Sequence, residues 1–247
     1  MSRQFYSVPE GVTQAWYGET IGIIVLDARY PCIPGNVANA STYGFPVRYQ
    51  TIQGASIDRL LYSRDPDLAK PFIEAALALQ EAGVKAISGA CGFMALFQKQ
   101  VAAALDIPVF LSSLLQIPFI HTITGKPIGV LTADASALTP KHFEGVNVSL
   151  ETPLFVRGME NCPEFSSSIL KEKGTMDSAL IEEEAVREAL ALQVEHPNIG
   201  SILLECSDLP PYASAIQRAT GLPVFDYITM INYVAQTNRR TSYAGLM

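Results

Sequence analysis

The feature that most constrains the fold is an internal repeat. Ala86-Ile87-Ser88-Gly89-Ala90-Cys91 and Ser201-Ile202-Leu203-Leu204-Glu205-Cys206 are two short runs that each end in cysteine. Pro108 and Pro223 each fall 17 positions after the preceding cysteine, within Ile107-Pro108-Val109 and Leu222-Pro223-Val224. Upstream, Ile21-Gly22-Ile23-Ile24 corresponds to Ile128-Gly129-Val130-Leu131. Equal internal spacing in two units of this complexity points to a duplicated module.

Each unit reads as buried strand, cysteine, helix, second strand. The strand segments are short, rich in branched apolar residues and apolar on both faces, as parallel strands covered by helices should be. Strands are expected at 21–26, 47–52, 84–88, 108–111, 127–131, 146–150, 199–205 and 223–225, four in each half. Helices are expected at 65–83, from Cys91 to about 105, within 135–143, at 177–195 and up to Gly221. The segment 151–166 reads as irregular and the tail after Asn232 as fraying. Alternation of this kind gives an α/β fold. The expected architecture is two pseudosymmetric lobes, each a mostly parallel four-stranded sheet flanked by helices, with the active site in the cleft between them. The first lobe is expected at 18–125, joined by the C-terminal segment 227–247, and the second at 126–226.

Composition narrows the function classes. The chain has 247 residues, 49% hydrophobic and 17% charged, with a formal net charge of −7. No basic patch exists for nucleic acid or an anionic membrane surface. No signal peptide is visible near the N-terminus and no long apolar run suggests a membrane span, so a cytoplasmic location with free thiols is expected. The four cysteines form no CxxC and none has a neighbouring histidine, so no metal is expected. No cofactor is expected either.

The repeat places Cys91 and Cys206 at the carboxyl ends of strands and at the starts of helices. Ligands of open parallel sheets bind at such ends. Unpaired N–H groups at a helix start favour a thiolate or a substrate carboxylate. Lowering a thiol from ~8.5 to ~7 takes about 2 kcal/mol, the upper end of what a helix terminus supplies. Two thiols facing a small acid from opposite sides would remove and return a proton.

At these residues the chain resembles the aspartate/glutamate (hydantoin) racemase superfamily, cofactor-independent two-cysteine enzymes of two similar lobes. The resemblance spans roughly residues 20 to 233 and rests on Gly89-Ala90-Cys91, Glu205-Cys206-Ser207 and the two strands after Pro108 and Pro223. It implies that Cys91 and Cys206 are the catalytic bases of an isomerase, a racemase or epimerase of an amino acid or related small carboxylate, and that the chain forms a homodimer. Gly92 and Phe93 stand where family members usually carry Asn or Thr, and Asp208 where glutamate racemases tend to carry His. Asp27, Asn36, Arg48, Gly92, Phe93, Thr132 and Ser207 are the expected substrate-binding residues. The alternative on the same scaffold is a decarboxylase or cis–trans isomerase of a small diacid. Cysteine hydrolase and non-catalytic binding protein are further alternatives. Arg157 is weighed as a contact for a second carboxylate, and Phe45, Phe93 and Phe155 as walls of an apolar pocket.

Overall fold

The computed structural model describes Ser7 and residues 16–246. Most of the N-terminal stretch searched for a signal peptide lies outside these residues. Two four-stranded sheets, all parallel, make up the framework. The first contains β1 (Ile21–Leu26), β2 (Val47–Ile52), β3 (Ala86–Gly89) and β4 (Val109–Phe110), in spatial order β2-β1-β3-β4. The second contains β5 (Ile128–Thr132), β6 (Leu154–Gly158), β7 (Ser201–Leu204) and β8 (Val224–Phe225), in order β6-β5-β7-β8. The α/β reading with two similar parallel sheets is the fold observed.

The duplication holds down to register. Gly22 pairs with Ile87 and Gly129 with Ile202. Ile87 N–H donates to the Pro108 carbonyl and Ile202 N–H to the Pro223 carbonyl, both at 2.9 Å. In each half the long helix crosses a glycine of the first strand. A Cβ at Gly22 would meet Leu79 of α1 (Ala69–Glu81) at 3.0 Å. One at Gly129 would meet Leu192 at 2.8 Å, on the corresponding helix Ser178–Glu195. Glycine therefore lets helix and sheet pack closely, which outweighs its low strand propensity.

After Cys91 comes a 3₁₀ stretch, Gly92–Phe97, before α2 (Gln98–Ala103). The remaining helices are α3 (Ile117–Thr124), α4 (Pro140–Gly145), the short α5 (Pro163–Phe165), α6 (Ser178–Glu195), α7 (Ala213–Thr220) and α8 (Tyr227–Asn238). A one-turn π-helix precedes the long helix in each half, Asp58–Tyr62 before α1 and Ser166–Leu170 before α6.

Three expectations are corrected. No strand forms at 146–150, although Val-Asn-Val-Ser-Leu alternates like one. Asn147 has φ 58°, a left-handed conformation that interrupts extended chain, while Val146 and Val148 stay buried in the core. The partner of β5 is instead β6, inside the segment read as irregular. The tail does not fray at Asn232 but continues as α8 to Asn238. This helix buries Tyr227, Met230, Ile231 and Ala235 in a cluster with Ile21, Ile23 and Ala86 of the first sheet.

The two halves are in close contact. Phe93 packs edge-on against His142 of α4, with ring centroids 5.1 Å apart. Ser113 Oγ donates to the carbonyls of Leu204 and Glu205 at 3.0 and 3.2 Å. Among the described residues no helix is long and apolar enough to cross a membrane.

Candidate active site

The ends of β3 and β7 bring the two cysteines to one cavity. Ala90 N–H donates to the Ile24 carbonyl and Glu205 N–H to the Leu131 carbonyl, at 2.9 and 2.7 Å. These bonds carry each sheet one residue beyond its strand, so each cysteine leaves at the sheet edge. Cys91 and Cys206 both line the cavity, together with Tyr30, Glu205, Ser207 and Asp208. Phe93 and the π-helix residues Leu61 and Ile169 supply part of its apolar wall. Its free volume is ≈ 20 Å³, room for about one water molecule. Past Tyr30 it adjoins a larger cavity of ≈ 330 Å³, lined by Asp27, Arg29, Cys32, Tyr49 and Thr51 among others.

Two buried carboxyl groups dominate the polar chemistry. Asp208 Oδ1 accepts from Asn36 Nδ2 at 2.6 Å, and its Oδ2 accepts from Tyr30 Oη at 3.2 Å and from Cys206 Sγ at 3.5 Å. Burial raises the Asp208 carboxyl, and those donors oppose the rise. Glu205 is fully buried. Its Oε2 accepts from Thr132 Oγ1 at 2.8 Å, while Oε1 has no partner. Burial pushes this carboxyl up to about 7. Among the described residues, no Arg, Lys or His lines the cavity.

Both thiols are raised, not lowered. Burial is the main cause at each, followed by Glu205 at Cys91 and by Asp208 at Cys206. The backbone N–H groups of Phe93 and Asp208 oppose this, one per thiol. The expected activation by a helix terminus is therefore corrected: a few N–H dipoles do not offset burial beside carboxyl groups.

The expected substrate-binding residues divide. Gly92, Phe93 and Ser207 line the cavity. Asn36 and Thr132 reach it through Asp208 and Glu205. Ser207 Oγ donates across the lobes to the Ala90 carbonyl at 2.7 Å, so its proton is already committed. Asp27 lines the adjoining cavity and accepts from Gly54 N–H at 3.0 Å. Arg48 is not at the cavity; it pairs with Glu19 at 2.7 Å and lies over Trp16. Arg157 pairs with Glu188 and Glu195. Phe155 stacks on His196 and Phe45 meets Arg239, so of the three phenylalanines only Phe93 forms a cavity wall. Sequence reasoning passed over Tyr30 and Glu205 as site residues. Glu205 had a signal, an acidic residue where the equivalent position of the first unit is Ala90.

Comparison with known proteins identifies the family. No protein-family model matches the chain. The chain is 30% identical over 222 residues to the dimethylsulfoniopropionate lyase of Durusdinium sp. clade D, covering 87% of this chain and 73% of that protein. The chain belongs to the dimethylsulfoniopropionate lyase family. Dimethylsulfoniopropionate lyase 6 of Emiliania huxleyi (strain CCMP1516) is 34% identical over 225 residues, and the chain spans 58% of that protein's length. Solved structures share the fold. Arylmalonate decarboxylase aligns with a TM-score of 0.54 at 16% identity, covering 91% of this chain and 94% of that one. Allantoin racemase from Pseudomonas fluorescens aligns with a TM-score of 0.56 at 16% identity, covering 92% and 100%.

These findings correct the racemase expectation. The curated relatives are named as lyases, so membership of the dimethylsulfoniopropionate lyase family replaces the assignment to isomerases. The racemase superfamily supplies the architecture alone. The two cysteine turns share a backbone and differ in flanking chemistry, Ala90 and Gly92 around the first cysteine and Glu205 and Ser207 around the second.

Proposed function

We propose that the protein is a lyase that cleaves dimethylsulfoniopropionate or a close sulfonium carboxylate by β-elimination, with Cys206 as the base. The observation that carries this reading, beside the names of the relatives, is the cavity's charge. Among the described residues its ionisable wall consists of thiols, carboxyls and a phenol, with no cationic side chain. A dicarboxylate would meet no countercharge there, whereas a sulfonium cation meets Asp208 and the Tyr30 ring.

Cys206 already donates to Asp208 Oδ2, so its proton has an acceptor. Cys91 Sγ donates to no acceptor among the described residues and remains a thiol. The substrate's own cation supplies what the helix start does not. A positive charge about 4 Å from a thiolate is worth about 4 kcal/mol at an effective dielectric constant of ~20, near three pKa units. With its proton on Asp208, Cys206 removes a proton from the carbon next to the carboxylate. The C–H electron pair forms the new double bond, and the C–S pair leaves with dimethyl sulfide. Acrylate remains, and one proton is released to solvent as Asp208 and Cys206 reset. Because the free volume suits only a water, substrate binding requires Tyr30 or the π-helix side chains to move aside.

The test is headspace chromatography of dimethyl sulfide over purified protein and dimethylsulfoniopropionate, with acrylate followed by proton NMR. Stoichiometric sulfide and acrylate are expected. Intact substrate after many enzyme equivalents of time and concentration would sink the reading.

A further inference from the structure

The proposed reaction places Cys206 and Asp208 at the proton and the sulfonium. It leaves unexplained the fully buried Glu205, whose side chain crosses from the second lobe to the first. Gly92 follows Cys91, and a Cβ there would collide with Glu205 Oε1. The carboxyl of Glu205 thus occupies the space that a side chain after the first cysteine would fill. Its Oε2 is anchored by the Thr132 hydroxyl, which leaves Oε1 as the free end. Glu205 is itself a cavity wall residue.

We infer that Glu205 acts in its neutral form as a hydrogen-bond donor from Oε1 to the substrate carboxylate. Thr132 uses its proton on Oε2, so the acid's own proton belongs on Oε1, where no protein acceptor takes it. A substrate carboxylate seated there gains a short O–H···O bond, which strengthens as proton removal shifts charge onto its oxygens. The elevation of this carboxyl to about 7 agrees with a group that keeps its proton, and an anionic ligand raises it further. Among the described residues the titratable groups around it are Cys91, Cys206, Asp208, Tyr30 and, from α8, Tyr227. None is a cation that would hold Glu205 ionised.

The inference rests on the lyase reading, and its test has arms that need no turnover. Calorimetry would compare two probes, 3-(methylthio)propionate, a carboxylate without the cation, and dimethylpropylsulfonium, a cation without the carboxylate. Glu205→Ala should weaken the carboxylate probe about tenfold or more and leave the cation probe within about twofold. The isosteric Glu205→Gln, which keeps a donor, should retain carboxylate binding and remains informative should the Ala variant fail to fold. In kinetics, wild-type kcat/KM should fall above about pH 7 as neutral Glu205 is lost, because the Cys206–Asp208 pair keeps its one proton throughout that range. Glu205→Gln should stay flat, so that its ratio to wild type grows about tenfold per pH unit there. Equal loss of both probes, or selective loss of the cation probe, overturns the inference. A wild type that binds both probes but releases no dimethyl sulfide defeats the lyase reading, and the binding arms still decide the role of Glu205.

Discussion

The two cysteine turns occupy equivalent places, yet their surroundings differ. In the first lobe Cys91 stands in Ala90-Cys91-Gly92-Phe93, and in the second Cys206 stands in Glu205-Cys206-Ser207-Asp208. Each thiol accepts one backbone N–H from the residue two positions on. Only Cys206 has a carboxylate to receive its proton. The first turn contributes a wall, with Phe93 packed on His142 and Gly92 making room for Glu205. The second contributes both acids. Duplication thus supplies two thiols at one cavity, and divergence of the flanking residues sets Asp208 against Cys206 and lays Glu205 against the first turn, beside Cys91. Elimination needs a single base, whereas racemisation by opposed groups needs two.

Apart from the thiols themselves, the largest effect expected is at Asp208. Asp208→Asn removes the acceptor of the Cys206 proton and should lower kcat by about 10²-fold or more in a dimethyl sulfide assay. An unchanged rate would erase the distinction between the turns.

Next is the pH dependence of stability at Glu205. Its folded value of about 7 lies above the ordinary 4.5. The stability tied to its proton is fully present below pH 4.5 and is lost as pH rises through 7, a change of about 3 kcal/mol. Urea melts at pH 5 and pH 8 should therefore show Glu205→Gln gaining that much on wild type at the higher pH. A pH-independent difference would mean that Glu205 is ionised in the folded protein.

Gly92→Ala forces a Cβ onto Glu205 and should destabilise by about 1–3 kcal/mol, as overpacking does. A chain that tolerates it without loss would show that Glu205 does not fill that space. Ser207→Ala, at the equivalent position of the other turn, removes the bond to the buried Ala90 carbonyl and should cost about 1–2 kcal/mol, read as a fall in Tm of a few degrees.

Much of the framework was legible because it follows from periodicity and spacing. The repeated runs, the prolines after each helix and the glycines of β1 and β5 all reflect backbone packing that the two halves share. β6 falls elsewhere than expected because 146–150 alternates like a strand, and the left-handed turn at Asn147 interrupts it. The cavity was legible through Cys91 and Cys206. Its charge was not, since Tyr30 and Asn36 come from a long loop that meets Asp208 only in three dimensions. The difference between Ala90 and Glu205 was visible in the sequence. A reading built on what the repeats share passes over it.

The most direct test of a one-base lyase is dimethyl sulfide release by Cys91→Ser and Cys206→Ser, measured beside wild type at saturating dimethylsulfoniopropionate. The account predicts that Cys206→Ser loses about 10²–10⁴-fold in kcat while Cys91→Ser loses about tenfold or less. Equal losses in the two variants, or the larger loss at Cys91, would contradict it.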